Sequence, residues 1–316
     1  MPLLSEYAIT PDVLFSSFYS STELEDALVS QVANSIMASG LVRDLRDGEW
    51  SELLNNPECH LNPRSKQFIM MLKKEKRLRS YPPVLPESPV TSADWCQEAF
   101  ASHLRSCLSG IITTKSVAEQ FKSKKHIVAA INSLGNGTVE WWQPLKGNIT
   151  VERDIQSYLL HLNPILMHAN SLLFIDPYLD PSSRDAYASF TKIISELTKR
   201  ARIPSMVQIH RQGEWDKNNA RWVTIQEWKT RFKDVLLPII AGTKLKIEIF
   251  IWKKFHDRYL LSDLTGIHMS NGFDENKRAT EVTTWSRLDR KLTENLYRSY
   301  DPAYRRKDLL DKFTVG

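Results

Sequence analysis

Apolar positions recur along this chain with two different periods, and the period changes near its middle. Leu24, Leu28, Val32 and Ile36 stand about one helical turn apart. Thr22 and Glu25 have capping-box spacing ahead of them, and Gly40 offers a stop, so the pattern predicts a helix between Thr22 and Gly40. Residues 64–79 predict a second helix, with Phe68, Met71, Leu72 and Leu78 on its apolar side. Two more are predicted over 93–108 and 115–134. Leu41 to Trp50 mixes charges with a turn-like Asp-Gly and reads as a surface-packed connection. Four prolines between Tyr81 and Pro89 break any helix and mark a linker or an extended crossing. Thr138 to Trp142 looks like a strand, and two helices ahead of a strand suggest a winged-helix arrangement. Residues 1–145 are therefore expected to form a mainly helical N-terminal domain.

From residue 146 the order becomes regular. A helix is expected over 148–170, then strand 171–179, helix 182–200, strand 205–210, helix 224–240 and strand 244–252. A fourth strand is expected over 258–261, a short one over 267–269, and a largely helical, basic end over 288–310. Strands alternating with helices imply an α/β sheet with substantial parallel pairing over 146–316.

Composition narrows the classes. Hydrophobic residues make up 42% and charged residues 25%, as in folded globular proteins and unlike disordered ones. The formal net charge of +5 is compatible with a polyanionic partner. Lys73, Lys74 and Arg77 sit in the basic 64–79 segment, where they are candidates to track substrate phosphates or form a solvated face. The three cysteines, Cys59, Cys96 and Cys107, form no C-x-x-C pair and fit a reducing cytoplasm. No apolar run is long enough to span a bilayer, and Met1-Pro-Leu-Leu-Ser-Glu does not read as a signal peptide, so no membrane association is expected.

The chemistry-bearing stretch follows the strand-like Lys244 to Trp252. His256 lies just past the strand end, and Arg258 lies two residues on, on the same side of an extended backbone. A histidine beside a fixed cation suits phosphate chemistry: one attacks or protonates and the other neutralises oxygens. Asp263 completes His-x-Arg-x4-Asp, and Ser270-Asn271-Gly272 follows. This constellation resembles the phospholipase D superfamily signature H-x-K-x4-D-x6-G-S/G-x-N. The strand ending in Asp176-Pro177-Tyr178 looks like the opening strand of one phospholipase D-like half.

The resemblance implies a phospholipase D-like mixed sheet flanked by helices, with a metal-independent phosphodiesterase activity and no cofactor. His256 would be the nucleophile and Arg258 would hold the non-bridging oxygens. Asp263 would orient a histidine, and Ser270 and Asn271 would donate to the phosphate. The superfamily also contains lipid-acting members, but no amphipathic anchor or lipidation signal is visible here, so a nucleic-acid substrate is expected, DNA ahead of RNA; single-motif members resembling this chain are often bacterial nucleases, some linked to restriction or defence. Two departures bear on this. Arg258 stands where the family has lysine, and guanidinium grips phosphate bidentately but does not release its proton. The family also uses two histidines, whereas one motif is present here. Either two chains pair and each contributes His256, or a hetero-complex or an incomplete site results. His210, at a strand end in the same half, and His268, close in sequence, are the candidates to assist, although a packing or surface role is the leading expectation for each. The alternative function is a catalytically inactive binding or adaptor module.

Overall fold

The computed structural model describes residues 3–142, 147–183, 187–216, 220–275 and 281–316. The chain divides into two compact units, one over Leu3–Lys146 and the other over Gly147–Gly316.

The first unit is not mainly helical. It is built on five parallel strands, β1 (Ser5–Ile9), β2 (Gly40–Leu45), β3 (Leu78–Tyr81), β4 (Gly110–Thr113) and β5 (Val128–Ala130), in the order β3-β2-β1-β4-β5. Helices α1 (Thr22–Ser39), α2 (Glu49–Asn55), α3 (Pro63–Lys74), α4 (Ser92–Arg105) and α5 (Lys115–Gln120) fill the connections. This is a doubly wound arrangement, with the order reversing between β1 and β4. The winged-helix expectation fails with it. Thr138 to Trp142 forms no strand, and Glu140–Trp142 is a 3-10 turn. The expected 115–134 helix stops at Gln120 and is followed by β5.

The physical reason is a set of short, buried strands whose charges are satisfied internally. Every residue of β2 is buried, including Arg43 and Asp44. Arg43 grips Glu6 of β1 through Nε and Nη2, both at 2.9 Å. The expected surface connection at 41–50 is thus a central strand. The proline-rich crossing is also fastened down: Val84 and Leu85 donate backbone N–H to the Glu98 carboxylate at 2.7 and 3.0 Å.

The second unit contains one eight-stranded mixed sheet. Its elements are β6 (Asn148–Glu152), α6 (Ile155–His168), β7 (Ser171–Ile175), α7 (Ala188–Thr198), β8 (Met206–Gln212), the small hairpin β9 (Trp215–Asp216) and β10 (Arg221–Trp222), α8 (Ile225–Ile240), β11 (Ile247–Trp252), β12 (Tyr259–Ser262), β13 (Gly266–Met269), β14 (Val282–Leu288), α9 (Arg290–Tyr300) and β15 (Leu309–Val315). The sheet order is β15-β11-β8-β7-β12-β13-β14-β6. β11, β8 and β7 run parallel, and their other neighbours are antiparallel. The α/β class is observed. β6, β14 and β15 were not anticipated. β15 replaces the end of the expected 288–310 helix, because an edge strand carrying Asp311 and Lys312 shows little apolar alternation.

Alternate residues of β7 serve the two faces. Phe174 meets Phe190 of α7 at 5.2 Å between ring centroids. Leu173 and Ile175 join Phe250, Trp252 and Tyr300 on the other face, beneath α9. This topology positions the site. The chain leaves β11, crosses the ends of β8 and β7 in six residues, 253–258, and enters β12 running the opposite way. That crossing carries His256 and Arg258 over the carboxyl ends of parallel strands, the usual place for a ligand in such sheets.

Candidate phosphate-handling site

The site is organised around Asp176, the residue after β7. Its side chain is fully buried, and three donors hold it: the backbone N–H of Tyr178 at 3.0 Å, the backbone N–H of Phe273 at 3.2 Å and the Tyr187 hydroxyl at 3.3 Å. Arg258 approaches with Nε 3.9 Å from Oδ1, a loose ion pair with the guanidinium partly exposed. Burial pushes the Asp176 carboxyl up to about 6, against the lowering pull of the two amides and of Arg258. Burial, with the Asp176 charge adding to it, also drives the Tyr187 hydroxyl up, so Tyr187 acts as a donor.

Gly272 makes this arrangement possible. Its φ is +70°, and a Cβ there would stand 2.0 Å from Asp176 Oδ2. The turn is pinned by Phe273, whose ring packs on Phe174 and Phe190 at 5.4 and 5.7 Å. Next along, Asp274 is paired with Arg153 at 2.7 Å, and its backbone oxygen accepts from the Tyr158 hydroxyl at 2.6 Å. Arg153 also pairs with Glu281 at 2.7 Å and so ties the turn to the end of β6.

Arg258 is held by its neighbours on β13. Its backbone oxygen accepts from Met269 N–H at 2.9 Å, and its Nη1 donates to the Ser270 oxygen at 3.3 Å. Its guanidinium also stands 5.2 Å from the Tyr178 ring centre. Ser270 and Asn271 therefore reach the same end of the sheet as Arg258. The Ser270 hydroxyl donates to Thr284 O at 2.9 Å, which engages the proton expected to serve a phosphate. Asn271 is half-buried beside it. His256 is exposed in the crossing loop, two residues before Arg258, and no hydrogen bond to it forms among the described residues.

Asp263 is placed differently from the role the resemblance implied. It follows β12 at the far end of the strand, where Oδ1 accepts from the backbone N–H of Asn170 at 2.9 Å and Ser171 at 3.2 Å. Four residues of extended chain, about 13 Å, separate it from Tyr259 beside the site. It fastens the start of β7 and does not orient His256.

The remaining candidates also fall elsewhere. His210 is fully buried on the α9 face, stacked on Phe250 at 4.6 Å. Its Nδ1 accepts from Trp252 Nε1 at 3.0 Å, and Nε2 stands 3.3 Å from Gln208 Oε1. Burial drives its pKa down to about 3, so it stays neutral and carries no proton to a leaving group. His268 packs across the strand against Tyr259 at 5.5 Å, on the face opposite Arg258. Lys73, Lys74 and Arg77 belong to the first unit. Lys73 donates to Asn55 Oδ1 at 3.1 Å, Lys74 is exposed, and Arg77 Nη1 donates to Gly40 O at 2.8 Å and braces the entry to β2. Arg77 is thus a half-buried structural brace at that entry.

Asp176, Tyr187 and Gly272 complete the site beyond the residues singled out by spacing. The visible signal was Asp-Pro-Tyr at a strand end together with the glycine of Ser-Asn-Gly. Among the described residues no three His, Cys, Asp or Glu side chains gather as a metal ion would need. No helix of the described residues is long and apolar enough to cross a membrane.

No family model matches the chain, and no curated protein matches it. Among solved structures, an archaeal chromatin protein, TrmBL2, described as showing a novel mode of DNA binding, is similar at 15% identity and a TM-score of 0.29, over 95% of this chain and 98% of that one. A polyphosphate kinase from Porphyromonas gingivalis is similar at 8% identity and a TM-score of 0.28, over 94% of this chain but 45% of the kinase. Similarities this distant transfer neither a fold nor an activity.

Proposed function

We propose that the second unit is a phosphodiesterase of the phospholipase D kind that acts on nucleic acid, DNA ahead of RNA. The observation that supports this reading is the loose pair of Arg258 with the buried Asp176 at the carboxyl end of β7, with His256 two residues before that arginine and Asn271 beside the Gly272 turn that closes on Asp176. A cation so loosely paired retains capacity for a phosphate oxygen. His256 attacks phosphorus, the P–O bond to the leaving alkoxide breaks, and the alkoxide takes a proton from a second imidazole. Water then attacks the phosphohistidine and releases His256. His210 is buried on the α9 face and His268 lies on the face opposite Arg258, so neither stands beside Arg258 as the second imidazole. The exposed loop position of His256 fits a site closed by His256 of a second copy.

The test is incubation of purified protein with plasmid and single-stranded DNA in excess EDTA, beside His256→Ala. Cleavage that survives EDTA and disappears in the variant is the expected result, with folding unchanged because the side chain is exposed. DNA retention without cleavage, equal in both proteins, identifies the unit as a binding module instead. Sedimentation at active concentrations checks the shared site, since a strict monomer that still cleaves overturns it.

A further inference from the structure

Resting on that reading, we infer that the β9–β10 hairpin is a base-stacking platform that makes single-stranded nucleic acid the preferred substrate. Trp215 and Trp222 pair directly across this hairpin, with ring centroids 5.6 Å apart and planes at 85°. They are 48% and 56% exposed, and a folded protein seldom presents two indoles side by side to water without use for them.

Their location gives them a partner. The segment leading to the hairpin is stitched to both sides of the site: Gln212 N–H donates to Pro177 O at 3.3 Å, and Gly213 N–H donates to Trp252 O at 2.7 Å. Pro177 follows Asp176, and Trp252 precedes the crossing loop that bears His256. The Trp222 ring lies over Gly213, where a Cβ would be 3.8 Å from Cζ3 and 3.0 Å from Leu310 Cδ1. Tyr178, 51% exposed, is a third ring at this edge, stacked near Arg258.

Cations accompany the rings. Lys253 and Lys254 are exposed at the start of the crossing loop, and Lys253 N–H donates to Asp308 O at 2.8 Å, which brings the 305–308 segment alongside. Lys307 there lies over the Tyr300 ring at 4.8 Å and 5.9 Å from the Phe255 ring, on the α9 face. Phosphates held by Lys254 and Arg258 leave the bases to reach Trp215, Trp222 and Tyr178. Stacking on aromatic rings beside a basic track is how single strands are gripped without sequence preference. A duplex buries its base faces and gains nothing from exposed indoles. A bilayer is a poorer occupant, because the hairpin carries the Arg221–Glu227 ion pair beside Trp222.

The experiment uses the full chain carrying His256→Ala, so that binding is read apart from cleavage. Fluorescence anisotropy is measured with a labelled oligo(dT), an abasic oligonucleotide of equal length, a duplex and anionic phosphatidylserine vesicles. Trp222→Ala and Trp215→Ala are each expected to weaken oligo(dT) binding about tenfold, by the loss of one base stack. Abasic binding should be unchanged, and Trp222→Phe should restore most of the affinity. Equal affinity of variant and parent for oligo(dT), a preference for duplex, or vesicle binding that requires the tryptophans without oligonucleotide binding each overturns the inference. Oligonucleotide binding that requires the rings, when the chain with His256 intact never cleaves, upholds the platform and rejects the phosphodiesterase reading alone.

Discussion

Each sheet of this protein takes charge into its interior, and the two do so in opposite ways. In the first unit, Arg43 is fully buried and every face of its guanidinium is engaged. It holds Glu6 bidentately at 2.9 Å, donates to Ser102 Oγ at 3.1 Å and Ser106 O at 3.0 Å, and lies 4.2 Å from the Tyr81 ring centre. In the second unit, Asp176 is equally buried, but its arginine stands off at 3.9 Å and remains partly exposed. The closed pair has no capacity left for a ligand, so it is structural. The open pair leaves a cation facing solvent and a carboxyl whose pKa is pushed up to about 6, the state expected of a group poised for chemistry. Burial of charge thus marks both places, and completeness of pairing separates them.

The sharpest way to break this contrast is to remove each arginine. Arg43→Ala leaves Glu6 buried without its cation and should cost about 3–5 kcal/mol, enough to unfold much of the first unit in a urea titration. Arg258→Ala exchanges a partly exposed side chain and should move stability by no more than about 1 kcal/mol, and on the proposed function it should abolish phosphodiester cleavage. Similar stability losses in the two variants would remove the distinction.

The pH dependence of Asp176 follows in size. A carboxyl raised to about 6 binds its proton more tightly folded than unfolded. Its contribution to stability is therefore full below the ordinary carboxylate range and is lost as pH rises through about 6. By linkage the change is on the order of 3 kcal/mol, read as the difference between the pH–stability curves of the native chain and Asp176→Asn. A carboxyl carbon NMR titration should place the midpoint near 6, and Arg258→Ala should move it higher by removing a charge that lowers it. A midpoint near 4 would show that the pocket is wetter than its geometry implies.

Gly272→Ala probes the same carboxylate from the other side. A left-handed backbone with a side chain costs about 1–3 kcal/mol, and the new Cβ meets Asp176 Oδ2 at 2.0 Å. The variant should lose more than that backbone cost and shift the Asp176 titration, whereas Gly137→Ala, with nothing within 4 Å of its Cβ, should pay the backbone cost alone.

The same contrast explains what the sequence made legible. β7 and β11 are apolar runs, Ser171–Ile175 and Ile247–Trp252, set between helices, one of which opens with the Thr224–Glu227 capping box. Their α/β order could be read directly. The first unit could not, because its central strand β2 contains Arg43 and Asp44 and its last strand β5 is only three residues long. A buried arginine looks like a surface residue until Glu6, 37 positions away, is known to face it. His256, Arg258, Ser270 and Asn271 were legible as a group because they flank adjacent strand ends. Asp176 was visible only as part of Asp-Pro-Tyr, since its pairing with the turn at Gly272 and Phe273 spans nearly a hundred residues.

Asp263 supplies the smallest expected effect and the most direct check on motif spacing. The four residues between Arg258 and Asp263 are β12 itself, so the spacing carries the aspartate to the opposite end of the strand. There it accepts two backbone N–H groups at an exposed position, much as a capping residue does. Asp263→Asn keeps the accepting oxygen and should be nearly neutral, and Asp263→Ala should cost about 1 kcal/mol. On the proposed function, neither should change the cleavage rate more than about threefold, a difference of about 0.6 kcal/mol in barrier. A hundredfold loss of rate in Asp263→Asn, with unfolding unchanged, would mean that the far end of β12 is coupled to His256 and that the two ends of the strand do not act independently.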